Sequence, residues 1–303
     1  MAVQTAQLIS PRPFSVISRI SQRHARGLVR KSAIAVGAGL LVFWTLAPIY
    51  WLLVVSTVNR ETLLSTPVPL LPQSPHLGQY RYLLNMHLFP EPGVVVASSG
   101  YNELALQGWV NSLILALVVV PVTMAIALPA AYAFGRLQFR FRISLLAVLV
   151  MTRAYPPISV LIPFSFLFIQ LNLDKSLFGL ALSHLSLTVP LATWIMTGFF
   201  ASIPVNLERA ARVDGLTRMG ALVRILIPLS SSGLAACAVI AFITTWNEFF
   251  FALILTNGSH AQTAPLNTAT SGPAYVVMSM LPTIGLTLLV QRSIRSMNIV
   301  NPL

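Results

Sequence analysis

Apolar residues dominate six stretches of the chain, and polar residues separate these stretches. A transmembrane helix needs about 20 mostly apolar residues, and each stretch supplies that length. We place the spans at Ala33–Val58, Trp109–Phe134, Ile143–Ile169, Leu177–Phe200, within Leu222–Thr256 and within Ala274–Ile294. The pattern predicts an all-α, polytopic membrane protein with six transmembrane helices.

The polar stretches at the ends and after the first span have distinct compositions. Residues 1–31 mix Ser, Pro, Gln and Arg, which predicts a mobile basic N-terminal tail. The apolar run over residues 32–58 is too long for a signal peptide, so we interpret it as an uncleaved first span. Residues 59–108 contain six prolines, so only short helices are expected there, over Leu77–Leu84 and Asn102–Leu106. Residues 297–303 form a short tail.

The composition supports a membrane protein and excludes sites that need several cysteines. Hydrophobic residues make up 56% of the chain and charged residues only 9%, with a mean hydropathy of +0.79. Soluble domains average about 25% charged residues. The single cysteine, Cys237, excludes an intrachain disulfide and a cluster of cysteine metal ligands. In a soluble protein, the net charge of +12 would suggest binding to nucleic acid. Here the distribution of the charge along the chain is explained by membrane topology.

Arginine and lysine concentrate on one side of the predicted membrane topology. They precede the first span, join the second to the third and the fourth to the fifth, and follow the sixth. These residues are Arg12, Arg19, Arg23, Arg26, Arg30, Lys31, Arg136, Arg140, Arg142, Arg209, Arg212, Arg218, Arg224, Arg292 and Arg295. The other side holds only Arg60, Arg81 and Lys175. Because cytoplasmic loops carry the excess of positive residues, both termini are predicted to be cytoplasmic.

The segment from Ser202 to Pro228 is a long charged stretch between two apolar ones. Pro204 suits the start of a helix, Gly215 can end it in the left-handed conformation, and Thr217 can cap the next helix. A helix, a turn and a second helix are therefore predicted. The first helix carries small alanines surrounded by arginines. It could therefore dock closely on a partner protein, or it could lie as an amphipathic helix on lipid headgroups.

Three runs in this chain resemble one family. Leu-Glu-Arg-Ala-Ala-Arg-Val-Asp-Gly from Leu207, followed by Ile-Leu-Ile-Pro ending at Pro228, resembles the EAA loop of binding-protein-dependent ABC importer permeases. The Ala-Tyr-Ala-Phe-Gly-Arg run ending at Arg136 and the Thr-Thr-Trp-Asn-Glu-Phe run from Thr244 resemble the carbohydrate, MalG-like branch. The resemblance implies a type I ABC importer transmembrane domain over residues 109–296, in the bacterial inner membrane, with a cytoplasmic coupling loop over residues 202–218.

The resemblance also implies which residues couple the permease to its ATPase. They are Leu207, Glu208, Arg209, Ala210, Ala211, Arg212, Asp214, Gly215, Leu216 and Arg218. The family's first motif Glu is replaced here by Arg209, so either Glu208 or an opposite charge on the ATPase takes over its ion pair. The Gly-rich tail that closes many relatives is absent, and no tail contact is assigned.

A charged residue within the third span is a candidate for the substrate pathway. Pro156, Pro157 and Pro163 predict that this helix bends or breaks, and backbone freed at membrane depth must be buried or line a wet cavity. Arg153 precedes the break, roughly 15 Å into the span at the helical rise. A charge there is costly and indicates function. Arg153 either lines the pathway or is satisfied by a neighbouring carbonyl group.

The fifth span supplies the other pathway candidates. The Trp246 indole could stack on a sugar ring, while Asn247 and Glu248 could bond to its hydroxyl groups. Alternatively, Asn247 and Glu248 bond to a partner subunit. In either case Glu248 is not expected to face lipid.

The residues give no sign of catalysis by this chain. They show no phosphate-binding loop, paired carboxylates, nucleophile triad or metal-ligand spacing. We therefore expect no catalytic residue, no metal and no cofactor here, and ATP and Mg are used by ATPase subunits.

The resemblance implies the assembly and its mechanism. The expected partners are a MalF-like permease in a heterodimer, an ABC ATPase dimer, an extracytoplasmic solute-binding protein and a carbohydrate. The 59–108 loop would contact the binding protein or simply cover the pore mouth. The chain would form half of a sugar pathway that works by alternating access. The main alternative is a stand-alone secondary transporter or channel, for which internal repeats are typical, and no convincing repeat is present.

Overall fold

The computed structural model describes residues 14–58, 70–71, 75, 77–84, 101–268 and 272–295, and all regular elements in these ranges are helical. The predicted tail residues 1–13 and 297–303, and most of the 59–108 loop, lie outside the described residues. The helices are α1 (Phe14–Ser56), α2 (Gly78–Leu83), α3 (Tyr101–Arg136), α4 (Arg142–Met151), α5 (Pro157–Gln170), α6 (Leu177–Ser202), α7 (Val205–Val213), α8 (Arg218–Ala221), α9 (Ile227–Leu229), α10 (Ser231–Trp246), α11 (Phe250–Thr256), α12 (Ala264–Thr268) and α13 (Pro273–Arg295). A π-helical turn, Leu222–Leu226, joins α8 to α9.

Helix α1 accounts for most of the first of two compact units, Met1–Val54. The helix begins at Phe14, so the tail predicted over residues 1–31 is helical from that residue onward. This differs from the prediction because no proline occurs between Phe14 and Pro48, and the polar residues here continue the helix upstream of the apolar run. Its apolar segment exposes side chains such as Phe43 and Trp44, as expected of a helix that faces lipid.

Four helices in the described ranges are long and apolar enough to cross a membrane: Arg30–Ser56, Ala105–Arg136, Leu177–Ser202 and Pro273–Gln291. A fifth crossing is available if the bent pair Arg218–Leu229 and Ser231–Trp246 counts as one span. The short helix predicted over Leu77–Leu84 is confirmed as α2, whereas Asn102–Leu106 belongs to the first turns of α3.

The third predicted span consists of two shorter helices, α4 and α5, which confirms the break expected from Pro156 and Pro157. Proline at the start of α5 cannot continue a preceding helix, since it lacks the N–H and disfavours helical geometry before it. Pro163 does not interrupt α5. Leu161 and Phe168, on either side of it, both lie in one buried hydrophobic cluster.

The fifth predicted span is interrupted twice. Helices α9 and α10 meet at Ser230, where the chain bends by 84°. A second break, at Asn247–Phe249, separates α10 from α11. This part of the chain is therefore a series of short helices rather than one straight rod.

The core of the second unit, Val55–Leu303, is built on the packing of α3 against α6. Small residues such as Ala127 and Ala131 are fully buried in α3 and allow close approach of the helices. Midway along the contact, the buried hydroxyl groups of Thr123 and Thr188 lie 2.6 Å apart.

Three apolar clusters surround this helix pair. One contains Leu115, Val119, Leu161, Phe168, Leu180, Phe251, Ala252, Leu255 and Leu266. A second contains Ala127, Ala131, Tyr132, Ala192, Met196, Phe200, Leu222, Leu226 and Cys237. The third contains Leu83, Ala105, Trp246, Ala264, Ala274 and Tyr275. The second cluster packs the π-helical turn after α8 against α3 and α6. The end of the charged segment is therefore fixed to these two helices.

Two glycines of α6 give a matched test of this packing. A Cβ added at Gly179 would overlap the carbonyl oxygen of Leu173, whereas a Cβ at Gly198 meets nothing within 4 Å. We expect Gly179→Ala to destabilise the protein by about 1–3 kcal/mol through overpacking. Gly198→Ala should be neutral or stabilising, by up to about 1 kcal/mol, because alanine favours helices. Melting temperatures in detergent measure both, and equal values for the two variants would contradict this packing.

Candidate functional site

The charged segment forms the predicted helix, turn and helix. Helix α7 ends at Val213, and Gly215 takes a φ of +91°. The Leu216 N–H donates to the Ala211 carbonyl at 3.0 Å, and the Gly215 N–H donates to the Arg212 carbonyl at 3.2 Å. These two bonds form a Schellman motif, which ends a helix at a left-handed residue. The predicted break at Gly215 is confirmed.

The second helix of this segment is capped as expected. Thr217 precedes α8, and its Oγ1 accepts a hydrogen bond from the Gly220 N–H at 3.0 Å. Pro204 lies just before α7 rather than at its first helical position, a difference of one residue at a helix boundary.

The Glu208 carboxylate ties α7 to the last turns of α3. The Tyr132 hydroxyl donates to Glu208 Oε1 at 2.6 Å, and Arg136 Nε lies 3.7 Å from Glu208 Oε2. Arg136 Nη2 also donates to the Ile203 carbonyl at 2.7 Å, just before α7. Only 12% of the Glu208 side chain is exposed. This carboxylate is therefore directed into its own chain, and the chain is held both just before α7 and in the first turn of α7.

The rest of the surface of this segment is open and strongly basic. Of the predicted coupling residues, Ala211 is buried and Glu208 and Leu216 are partly buried. The exposed ones are Leu207, Arg209, Ala210, Arg212, Asp214, Gly215 and Arg218. A cavity of about 530 Å³ beside them is lined by Arg136, Arg142, Arg209, Arg212 and Arg218, and Glu208 is the acidic side chain among its described lining residues. Positive charge therefore dominates the surface that α7 presents.

The four predicted pathway residues divide between two cavities. Arg153 and Glu248 line a cavity of about 660 Å³, which the breaks between α4 and α5 and between α10 and α11 both border. Trp246 and Asn247 line another, of about 390 Å³, beside α13. The sequence did not indicate that the breaks in two distant helices share one cavity.

Trp246 is a packing residue in this conformation. Its side chain is buried, stacked on Phe242 with ring centroids 5.6 Å apart, and in edge contact with Trp109 at 5.9 Å. The indole N–H donates to the Ser279 carbonyl at 3.0 Å. The predicted stacking on a sugar thus finds no open ring face here, because Phe242 of the same helix and Trp109 of α3 cover the ring. Asn247, next to it, is exposed.

Glu248 caps the broken helix and is buried, so the prediction that it avoids lipid is confirmed. Its Oε1 accepts from the Phe251 N–H at 3.0 Å, and its Oε2 accepts from the Ala252 N–H at 3.2 Å. His184 Nε2 lies 3.4 Å from Oε2. Free N–H groups at a helix start favour a carboxylate. The role of Glu248 in capping, and the contact with His184 on α6, were missed from the sequence.

Comparisons with known proteins agree with this architecture. The family described as binding-protein-dependent transport system inner membrane component matches residues 127–298. The trehalose/maltose transport system permease protein MalG of Thermococcus litoralis is 30% identical over 89% of this chain and 95% of its own. The sulfoquinovosyl glycerol transport system permease protein SmoH of Agrobacterium fabrum is 30% identical over 76% of this chain and 75% of its own.

A solved structure shows the same fold. It is a bacterial ABC transporter involved in the import of the acidic polysaccharide alginate, with a TM-score of 0.67 at 22% identity, covering 87% of this chain and 96% of that one. The fold and the charged segment thus define a multi-pass permease component of an ABC importer, with the type I fold. The chain belongs to the family of binding-protein-dependent transport system inner membrane components.

The Glu208 contact gives a test that does not depend on transport. Glu208→Ala removes the acceptor for Tyr132 and the partner of Arg136, and a charged hydrogen bond contributes about 1.5–3 kcal/mol. We expect backbone amides of α7 to exchange hydrogen at least about tenfold faster. Arg209→Ala, on the exposed face of the same helix, should leave exchange unchanged. Hydrogen exchange with mass spectrometry measures both. Equal exchange in the two variants would show that the Glu208 contact does not hold α7 against α3.

Proposed function

We propose that this chain forms half of the translocation pathway of an ATP-driven importer for a sugar or oligosaccharide, and that it works by alternating access. Support comes from the membership in the permease family and from relatives whose names refer to trehalose, maltose and sulfoquinovosyl glycerol. The carbohydrate-branch runs that end at Arg136 and begin at Thr244 agree with this assignment.

The proposed assembly places the chain in the bacterial inner membrane with both termini in the cytoplasm, on the side where arginine and lysine concentrate. A MalF-like permease supplies the other half of the pathway, and an extracytoplasmic solute-binding protein delivers the sugar. An ABC ATPase dimer lies on the cytoplasmic side. ATP and Mg are bound there, and this chain binds no cofactor and has no ATPase site.

The observation that carries the proposal is that α7 contacts α3 through Glu208 and also exposes arginine side chains. Its exposed arginines are available to a partner, while Glu208 connects the helix to Tyr132 and Arg136 of α3. The chain before α7 leads directly into α6, and the chain after it leads through α8 into α10. A push on α7 is therefore transmitted to three helices of the bundle. The helices that border the cavity with Arg153 and Glu248 include α6 and α10.

The positive charge of the exposed surface of α7 and α8 indicates the charge of the ATPase surface that contacts it. Glu208 is engaged within its own chain, so it is not free to bind an arginine of the ATPase. Arg209, Arg212 and Arg218 remain exposed. We therefore assign the opposite charge, acidic side chains, to the groove of the ATPase that receives α7. Opposite charges steer such partners together and exclude wrong ones.

Replacement of Gly215 tests whether α7 and α8 must keep their relative position for a push on α7 to reach the bundle. Gly215→Val forces a β-branched residue into the left-handed conformation, which costs roughly 1–2 kcal/mol and displaces α8 relative to α7. We expect uptake to fall at least about tenfold while the protein still inserts in the membrane. The measurement is uptake of labelled sugar normalised to membrane-inserted protein.

Gly258 provides the matched control for this variant. It has a φ of +72°, and a Cβ there also meets nothing within 4 Å. Its turn lies near Asn111 at the far end of α3, since Asn111 binds the His260 carbonyl at 2.7 Å. The distance along α3 from Asn111 to Tyr132 is about 30 Å at the helical rise. Gly258→Val should therefore retain most uptake. A similar loss in both variants would argue against a specific role of the α7–α8 turn at Gly215 in transmitting the push.

Purification distinguishes the proposal from a stand-alone transporter or channel. We expect a nucleotide-hydrolysing subunit and a second permease to co-purify with the chain in mild detergent. Liposomes that contain this complex and the binding protein should accumulate sugar only with ATP inside the compartment that the ATPase faces. Uptake by the isolated chain, without ATP, would favour a secondary transporter or channel.

A further inference from the structure

The cavity of about 660 Å³ has a size typical of ligand sites, for which about 300–1,000 Å³ is usual. Its wall combines aromatic and polar side chains. Tyr155, Phe164 and Phe251 supply apolar ring surface, and Arg153 and Glu248 supply charge. Three hydroxyl side chains complete the polar part of the wall, namely Thr152, Ser186 and Thr244.

The Thr152, Ser186 and Thr244 hydroxyl groups of this wall can only accept further hydrogen bonds. Thr152 Oγ1 donates its hydrogen to the Leu149 carbonyl at 2.7 Å, and Ser186 Oγ donates to the Ser183 carbonyl at 2.6 Å. Thr244 Oγ1 donates to the carbonyl oxygen one helical turn before it, at 2.8 Å. Each hydroxyl group has one hydrogen and two lone pairs. With the hydrogen engaged on its own helix, each offers only acceptor capacity to the cavity.

Glu248 adds acceptor capacity and no donor. Its two oxygens already accept from the backbone N–H groups at the start of α11. Arg153, by contrast, brings five N–H donors. Within the part of the chain that the structure describes, its guanidinium makes no hydrogen bond and no ion pair. Among the described side chains of the wall, this guanidinium and the Tyr155 hydroxyl are the donors, and no carboxylate, Glu248 included, lies within ion-pairing distance of Arg153.

We propose that this cavity binds a saccharide that carries an acidic group, a carboxylate or a sulfonate. The Arg153 guanidinium pairs with the anionic oxygens, for which its planar fork is suited. The sugar hydroxyl groups donate to Thr152, Ser186 and Thr244. A neutral sugar would satisfy those acceptors but would leave Arg153 without a partner when the cavity closes, and an unpaired charge that loses water is costly. This inference rests on the proposed function and specifies its substrate class.

The test uses the complete importer in liposomes, with its binding protein and ATP. The probes are matched pairs of labelled sugars: a glucuronic acid disaccharide against the glucose disaccharide with the same linkage, and a sulfonated glucoside against its unsulfonated form. We expect the acidic member of at least one pair to be taken up about tenfold or more faster than its neutral match. Preference for neutral members would overturn the inference, whereas no uptake of any sugar by the assembled complex would reject the proposed function itself.

Substitution of Arg153 tests the assigned contact. In Arg153→Gln, the ratio of acidic to neutral uptake should fall about tenfold or more, because a charged hydrogen bond is lost. Arg153→Lys, which keeps the charge but not the fork, should retain part of the ratio. Arg140→Gln, an exposed arginine between α3 and α4, should leave the ratio unchanged.

Two further outcomes would overturn the inference. An equal loss of acidic and neutral uptake in Arg153→Gln would show that Arg153 does not select the anion. Loss of the second permease from purified Arg153→Gln would show that the counter-charge of Arg153 comes from that subunit. Co-purification and the melting temperature of the complex separate these results from a failure to fold.

Discussion

The contact of Glu208 with Tyr132 and Arg136 determines how the charged segment relates to the bundle. An amphipathic helix as short as α7, without an anchor, would be marginal by itself, because isolated helices of this length are not stable in water. The carboxylate, its phenol partner and the nearby guanidinium hold it against α3. The Schellman turn at Gly215 then fixes the direction in which the chain leaves it. A surface helix thereby becomes a rigid extension of the membrane core.

The interior of the bundle follows a second constraint, the need to satisfy backbone groups away from water. Two of the spans predicted from the sequence are broken, between α4 and α5 and between α10 and α11. Such breaks persist only where protein or a wet cavity covers them, and both border the same cavity. Glu248 supplies the acceptors that the start of α11 would otherwise lack. The two helix breaks and the charged side chains of Arg153 and Glu248 therefore lie around one cavity.

Local signals were readable from the sequence, and long-range ones were not. Proline at 156 and 157, glycine at 215 and threonine at 217 each act through their own backbone, so the breaks and caps could be predicted. The bond between Tyr132 and Glu208 joins residues 76 positions apart and depends on how α3 and α6 pair. Trp246 shows the same limit, since its motif suggests a sugar platform, yet Phe242 and Trp109 cover its ring. The role of Arg153 in the substrate pathway remains a prediction, and the structure places this residue in the wall of a cavity.

The burial of Cys237 makes this chain convenient for spectroscopic work. Its thiol lies in the cluster between α6 and α10, with 1% of the residue exposed and Sγ 3.9 Å from the Ala192 carbonyl. Water-borne maleimide reagents need an accessible thiolate, so the natural protein should stay unlabelled while folded. A cysteine introduced on the exposed face of α7 would then be the one reactive position. Fluorophores or spin labels placed there could follow the movement of this helix without removal of the native thiol.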